Sequence, residues 1–119
     1  MTTPPVELPA VDPAVVAGWL GLPGDPAADD NLTLACRLTT NLVNGLPWVA
    51  RYTAATDPPA WPGGVDEASV MLAARLYRRR NTPSGVESFG ESPATYVLRH
   101  DPDVARALRI GPNAMPRVG

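Results

Sequence analysis

Proline and glycine are distributed unevenly along this sequence, and their distribution limits where helices and strands can form. The chain contains 15 prolines and 10 glycines among its 119 residues. They crowd into four stretches, residues 1–26, 57–64, 83–93 and 111–119. Because proline lacks a backbone N–H and clashes with the preceding helical turn, such stretches favour turns and extended chain. The sequence therefore predicts a small helical core with long, proline-stiffened arms and loops.

The length of the chain supports one domain. A chain of 119 residues has the usual size of a single domain and can bury a modest core. We expect residues 1–119 to form one mainly α-helical bundle of about four helices, with extended arms at 1–11 and 109–119. One short strand or hairpin is compatible with this fold class.

The clearest helix runs from Val65 to Arg80. Asp66 and Glu67 lie in its first turn and a triple arginine ends it, as the helix dipole favours. Its apolar positions form overlapping helical stripes that cover more than half of its circumference. A helix this apolar must be covered on most sides, so we expect its neighbours to include a second subunit.

The first helix is predicted over Pro13 to Leu20. Asp12 is placed to act as its N-cap, proline suits the first helical position, and Gly21 suits the end. So short a helix must dock on the core to be stable. The large apolar side chains that we expect on or near its docking face are Val15, Val16, Trp19 and Leu20.

Two further helices are predicted from similar boundary signals. Asp29 or Asp30 would cap a helix over about residues 31–44, which closes at an Asn-Gly pair. Asp101 precedes a proline and repeats the cap pattern of the first helix, which predicts a last short helix over about residues 102–108.

Two short segments could form strands. Trp48 to Thr53 alternates weakly, and it predicts a short strand or an irregular helix with equal support. Thr95 to Arg99 is rich in β-branched and aromatic residues and is a short strand candidate. Trp61, in a rigid loop, is expected to be a packing anchor against the second helix and the 65–80 helix.

Composition and charge argue against several classes of protein. The formal net charge is −2 and all ten basic residues are arginine, whereas a general nucleic-acid binder is normally basic. The single cysteine, Cys36, cannot form an internal disulfide, and its apolar surroundings predict a buried thiol. No apolar run reaches the ~18 residues of a membrane span, and no signal peptide is visible. We therefore expect no membrane partner.

No arrangement of residues in the sequence predicts catalysis. His100 is the only histidine, and although Asp101 and Asp103 lie beside it, a metal site needs further ligands. We interpret His100 as a solvated or capping residue. The serines lack a GxSxG elbow, and Gly85 to Gly90 does not match the GxxxxGK[ST] phosphate loop. We expect no enzyme activity, no catalytic or metal-binding residue and no cofactor.

The sharpest charge feature is the run Arg78, Arg79 and Arg80, with Arg75 one turn earlier. One interpretation is a solvated helix end that complements the helix dipole. The other is contact with phosphate or with an acidic partner surface. Because successive residues point about 100° apart on a helix, at most two of these arginines can face one partner.

Two segments of the chain resemble one protein family. The string MLAARLYRRRNTPSGVESFGE, followed a few residues later by RHDPDVARAL, resembles the head–tail connector proteins of actinobacterial siphophages, the adaptors that lie beneath the portal. The resemblance covers Trp61 to Leu108, and the N-terminal helices agree with it in order and size. None of these motifs is catalytic, and the Trp48–Thr56 region matches no expected feature.

The resemblance implies a helical-bundle protomer that assembles into a ring, commonly a dodecamer. Such a ring docks on the portal protein, extends the DNA channel and receives the next neck or tail protein. Genomic DNA would pass through without sequence-specific binding during packaging and ejection. The protein would belong to the neck of the virion and be assembled in the cytoplasm of the bacterial host. Proline-stiffened arms suit contacts with neighbouring subunits, because little entropy is lost on binding.

Candidate interface residues follow from the resemblance and from the arginine run. We expect the 81–92 loop or the 109–119 arm to contact the portal or the next ring, so that deleting 109–119 blocks portal attachment and leaves the fold intact. The candidates for contact with a partner or the DNA channel are Arg75, Arg78, Arg79, Arg80, Asn81, Ser84, Val86, Phe89, Arg109 and Arg117.

Two functions other than the adaptor remain as alternative hypotheses. One is a small helical DNA-binding regulator that reads DNA with the 65–80 helix, although the loop before that helix is long for a helix-turn-helix. The other is a neck stopper or tail-terminator protein, which would be richer in strands. An enzyme subunit is disfavoured, because no set of polar residues converges in the sequence.

Overall fold

The computed structural model describes residues 8–80, Val97 and residues 100–110, except for the side chain of Arg80. This part of the chain contains five α-helices, a short 3-10 helix at Pro26–Ala28 and no strand. The α-helices are α1 (Pro13–Leu20), α2 (Asp30–Gly45), α3 (Pro47–Ala55), α4 (Val65–Arg80) and α5 (Pro102–Ala107). The predicted fold class, a small and mainly α-helical bundle, is confirmed.

Helices α2 and α4 form an antiparallel pair at the centre of the bundle. Near the end of α4, the hydroxyl of Tyr77 donates to Oδ2 of Asp29 at the start of α2, over 2.8 Å. At the opposite end, Nε1 of Trp61 donates to Oδ1 of Asn44 over 2.7 Å. Trp61 is buried just before α4 begins. Its predicted role as a packing anchor is therefore confirmed at α2.

Helix α4 is covered on several sides by its own chain. It contacts α1, α2 and α5, and the small side chains of Ala73 and Ala74 are buried. Small residues allow helix axes to approach closely, so the broad apolar face of α4 is accounted for within one protomer. The further prediction that α4 packs against a second subunit stays a prediction. The largest fully buried apolar side chains of the core are Leu32, Leu72, Leu108, Val16, Val43, Val49, Val65, Val97 and Val104.

The segment before α1 lies along α2. Pro9 accepts a hydrogen bond through its carbonyl from Nδ2 of Asn44 over 2.9 Å, and the N–H of Val11 donates to Oγ1 of Thr40 over 3.0 Å. Val11 is buried. Residues 8–11 of the predicted arm are thus attached to the core, and residues 1–7 lie outside the described part.

Helix α1 has the predicted boundaries, and local chemistry explains them. Oδ1 of Asp12 accepts the N–H of Ala14 over 2.9 Å, which satisfies a donor that the helix leaves free. At the other end of α1, the backbone of Gly21 adopts the left-handed conformation, with φ 70°. The N–H groups of Gly21 and Leu22 return to the carbonyls of Gly18 and Ala17. This pair of bonds is a Schellman motif, for which glycine is the favoured residue.

The Trp48 to Thr53 segment is helical, so the strand alternative was wrong there. Leu46 alone separates α2 from α3, and Pro47 occupies the first turn of α3. Val49 and Thr53, one turn apart, are the buried residues of this helix. Their spacing matches a helix, and burial of that face outweighs the strand preference of the aromatic and β-branched residues.

The predicted strand over Thr95 to Arg99 is also contradicted where the structure describes it. Val97 is helical and fully buried. Its carbonyl accepts the N–H of Asp101 over 2.8 Å, which is the four-residue spacing of an α-helix. The other residues of that candidate strand lie outside the described part of the chain.

The last helix ends one residue earlier than predicted, and the chain after it is still part of the core. Ile110 donates to the carbonyl of Ala105, and Arg109 donates to that of Arg106. These bonds form a second Schellman motif. Leu108 and Ile110 are buried. The predicted arm over 109–119 is therefore wrong at its first two residues, because they cap α5; residues 111–119 lie outside the described part.

None of the helices in the described ranges is both long and apolar enough to cross a membrane.

Asp29 is expected to matter more to stability than its neighbour Asp25. Oδ1 of Asp29 accepts the N–H groups of Asn31 and Leu32, and Oδ2 accepts Tyr77. Asp25 caps only the exposed 3-10 helix, through the N–H of Ala27. Asp29→Ala should lower the free energy of unfolding by about 2 kcal/mol and Asp25→Ala by less than about 1 kcal/mol, measured in urea. Equal losses would contradict the double role of Asp29.

Candidate functional site

A cluster of two arginines and two aspartates joins α4 to α5. The guanidinium of Arg79 makes two hydrogen bonds to the carboxylate of Asp101, both over 2.6 Å. Asp101 is only 2% exposed. A buried carboxylate needs a paired charge and good geometry, and the two-point contact of an arginine supplies both.

Arg75, one turn before Arg79, completes this cluster. Its Nη1 and Nη2 donate to Oδ1 and Oδ2 of Asp103 over 2.7 and 2.8 Å, and Nη1 also lies 3.3 Å from Oδ1 of Asp101. The hydrogen bonds from Arg75 lower the pKa of Asp103 to about 2. The same contact raises the pKa of Arg75. We call these four residues the Arg–Asp cluster.

The cluster overturns the predicted role of Asp101. The sequence pattern predicts a side-chain N-cap, but Asp101 makes no capping hydrogen bond to α5. Its carboxylate faces Arg79 and Arg75 instead. Asp12, which has the same Asp-Pro pattern but is exposed, does cap its helix. In this chain the buried Asp101 pairs with arginines, and the exposed Asp12 caps its helix.

The structure separates the arginines that the sequence places together. Arg75 and Arg79 point toward α5 and are paired within the chain, whereas Arg78 is exposed. This agrees with the expectation that adjacent arginines cannot share one face. Contact of any of them with a partner stays a prediction. The remaining candidates on either side of α5 fall outside the described part of the chain: the Arg80 side chain, Asn81, Ser84, Val86, Phe89 and Arg117.

Arg109 is the one C-terminal candidate that the structure describes, and it lies against Trp48. Its guanidinium carbon is 4.3 Å from the centre of the Trp48 ring, a cation–π distance. Nε1 of Trp48 donates to the carbonyl of Leu108 over 2.8 Å. Arg109 has a φ of 55°, which is uncommon for a residue other than glycine. These contacts fix the end of α5 on the start of α3.

In the described part of the chain, the side chains that could take part in catalysis or metal binding do not lie together. No group of three or more His, Cys, Asp or Glu in residues 8–80, 97 and 100–110 could hold a metal ion. His100 is exposed. The Cys36 thiol is buried, as predicted. Burial, with a smaller effect of the nearby Asp12 charge, raises its pKa to about 11, so it is protonated and a poor nucleophile at neutral pH.

Helix α1 exposes an apolar face that the sequence analysis missed. Val16 and Ala17 are its buried residues. Val15 and Trp19, which were expected on or near the docking face, are 53% and 62% exposed. No residue of α1 is charged or polar, so the sequence pattern could not indicate which side faces the core.

A second apolar surface is a groove beside α3. It has a volume of about 520 Å³. Its apolar lining residues are Leu8, Ala50, Ala54 and Pro59, and Asp57 is its one charged lining residue. The remaining lining residues are Asn44, Thr53 and Thr56.

Comparisons with protein-family models, with curated proteins and with solved structures found no match. The resemblance to head–tail connector proteins therefore stays a prediction from the sequence.

Removing Arg79 is expected to unfold the protein more easily than removing the adjacent Arg78. Arg79→Ala leaves the buried Asp101 with only the longer contact to Arg75. Because 27% of the Arg79 side chain is exposed, we expect a loss of about 2–3 kcal/mol, below that of a fully buried pair. Arg78→Ala should change stability by about 0.5 kcal/mol or less. Urea unfolding curves of both variants measure this, and similar losses would contradict the cluster.

The Asp103 pair is expected to weaken in acid. A carboxylate whose folded pKa is depressed stabilises the fold above its ordinary pKa, and that contribution is lost as the pH falls. For Asp103 the loss should occur between its ordinary value of 3.8 and about 2. Arg75→Ala should raise the pKa of Asp103 toward 3.8, measured by NMR titration of its carboxyl carbon. An unchanged pKa would mean that Arg75 is not its partner in solution.

Proposed function

We propose that this chain is a structural virion protein, a head–tail adaptor that forms a ring beneath the portal. The ring would extend the DNA channel and offer a docking surface to the next neck or tail protein. The proposal rests on the resemblance of residues 61–108 to head–tail connector proteins. No enzyme activity or cofactor is part of it.

The structural observation that best supports an assembly role is the exposed apolar face of α1. Trp19 is 62% exposed and Val15 is 53% exposed, on a helix without any polar side chain. A helix that is apolar all round is normally buried all round. Large exposed apolar side chains that lie together indicate a surface for another molecule. A protein that functions within a ring would need such surfaces.

The described structure gives less support to the alternatives. A DNA-binding regulator would need a basic reading surface, but the net charge is −2 and Arg75 and Arg79 are occupied by aspartates within the chain. A stopper or tail-terminator protein would be richer in strands, and residues 8–80, 97 and 100–110 contain none. Both observations favour the adaptor.

The proposed partners follow from the position of the ring. They are other copies of this chain, the portal protein and the next neck or tail protein, with genomic DNA passing through the channel. The net negative charge of the chain suits the passage of DNA, because an acidic channel wall does not retain the phosphate backbone. The proposed location is the neck of the virion, after assembly in the cytoplasm of the bacterial host.

Portal binding tests the proposal. The purified chain mixed with the portal protein of the same virus should give a high-mass complex in native mass spectrometry. Deleting residues 111–119 should weaken this complex at least about tenfold, or ~1.4 kcal/mol. The cut is placed after Ile110 because Arg109 and Ile110 cap α5. Deleting residues 1–7 is the matched control at the other end.

Each outcome has a clear reading. A complex that needs the 111–119 segment, formed by variants with unchanged circular dichroism, supports the adaptor and the arm. A complex that still forms after this deletion contradicts the assignment of residues 111–119 as the portal-binding arm. A chain that ignores the portal but shifts duplex DNA at physiological salt overturns the adaptor in favour of a regulator.

A further inference from the structure

The exposed side of α1 carries two parallel rows of side chains. Val15 and Trp19 are 53% and 62% exposed, and because they lie one helical turn apart they form one row. Ala14 and Gly18, also one turn apart, are exposed beside them. A Cβ atom at Gly18 would meet nothing from the rest of the described chain within 4 Å. We call these four residues the α1 face.

The shape of the α1 face suits another helix. Side chains four residues apart form ridges, and helices pack by placing the ridges of one into the grooves of the other. Val15 and Trp19 form such a ridge, and the small residues Ala14 and Gly18 leave a shallow channel beside it. Small residues also let two helix axes approach closely.

Carboxylates without a paired cation lie at both ends of α1. Asp12 caps its first turn. Asp25 begins the 3-10 helix and Asp30 begins α2, and both of these elements contact α1. All three aspartates are exposed. The ion pairs in the described part of the chain involve none of them, so their negative charge is available to a partner.

The surroundings of α1 are acidic on a larger scale as well. Residues 1–36 contain five acidic residues and no basic one. Among the described side chains of α2 and α4, the two long helices that contact α1, the exposed charges are Asp30, Asp66 and Glu67 against Arg37 and Arg78. The arginines therefore do not reverse the sign, and a partner of the α1 face needs positive charge around its apolar side chains.

We propose that the α1 face docks a basic amphipathic helix of another protein. Apolar side chains of that helix would pack on Val15 and Trp19, and its flanking lysines or arginines would lie toward Asp12 and Asp25. Tryptophan commonly anchors interfaces, and an amphipathic helix is a common form of peptide ligand. This inference goes beyond the adaptor function and does not depend on portal binding.

The same charges disfavour other occupants of the α1 face. Duplex DNA and anionic lipid headgroups are negative, so the carboxylates would repel them. A second copy of the chain joined through the same face would bring its own Asp12 and Asp25 toward those of the first, and like charges that meet across an interface are costly.

Three synthetic peptides test the proposal. The first has about 14 residues, or four helical turns, with leucines along one side and lysines on both flanks. The second has glutamate in place of every lysine, and the third has the composition of the first in scrambled order. Fluorescence anisotropy of each labelled peptide, with the protein titrated to about 1 mM, covers the range of a weak contact.

Two variants alter the α1 face, and each has a matched control. Trp19→Ala removes its largest apolar side chain, and Tyr52→Ala removes another exposed aromatic, on α3. Gly18→Arg fills the channel with a cation, and Gly45→Arg makes the same change at an equally open position of α2. Because arginine is a better helix former than glycine, Gly18→Arg should not weaken α1. Circular dichroism checks the fold.

A third pair of variants tests where the charge acts. Asp30→Lys and Asp57→Lys change the net charge equally, and both aspartates are exposed, but only Asp30 belongs to an element that contacts α1. Asp30→Lys should weaken binding of the lysine peptide about threefold at low salt and less at high salt. Asp57→Lys should have a smaller effect.

The expected result is binding that needs both the apolar face and the charge. The lysine peptide should bind the wild-type chain, and the glutamate and scrambled peptides should bind at least about tenfold more weakly. Trp19→Ala and Gly18→Arg should weaken binding of the lysine peptide by a similar factor. Tyr52→Ala and Gly45→Arg should bind it as the wild-type chain does.

Other outcomes overturn the proposal. Equal binding of the scrambled peptide, or equal losses in Asp30→Lys and Asp57→Lys, would mean that net charge alone holds the peptide. If no peptide binds, Trp19-dependent binding to phosphatidylcholine vesicles would assign the α1 face to a membrane, and Trp19-dependent dimerisation would assign it to a second copy. The portal experiment turns on residues 111–119 and not on Trp19, so either proposal can fail while the other stands.

Discussion

The position of the last helix depends on neutralising one buried carboxylate. Asp101 is almost fully enclosed, and Arg79 and Arg75 reach it from successive turns of α4. A helix of six residues, such as α5, has no stability of its own. The paired charges fix where it begins, while Val104 and Leu108 bury its apolar side. Lysine could not replace these arginines equally, because it lacks the planar two-point contact.

Helix α2 organises the rest of the bundle through its polar residues. Asp29, the N-cap of α2, accepts a hydrogen bond from Tyr77 of α4. Thr40 and Asn44 both bond to the segment before α1, and Asn44 also bonds to Trp61. Such residues lower helix propensity when considered alone. In the folded protein they are the points at which neighbouring elements are attached, so their cost to the isolated helix is recovered in tertiary contacts.

Signals within a few residues allowed the helix boundaries to be predicted. Features that depend on contacts between residues far apart in the sequence could not be predicted in the same way. The bounds of α1 and α4 follow from caps, glycine and proline, which act within a few residues. Helix α3 was left undecided because Val49 and Thr53 form their buried face only against other elements. The outward direction of Trp19 was missed because α1 is apolar on every side. The Arg–Asp pairs join residues 22 to 28 positions apart, a distance that no local pattern reveals.

The contact between Arg109 and Trp48 has a mechanical consequence. Any pull on the chain beyond Ile110 is transmitted first to the left-handed turn at Arg109, to the indole beneath it and to the hydrogen bond at Leu108. Trp48 is the second residue of α3, which Leu46 alone separates from α2. Tension on the C-terminal segment is therefore passed to the central helices as well as to the six-residue α5. The shortest of the described α-helices therefore does not bear that force alone.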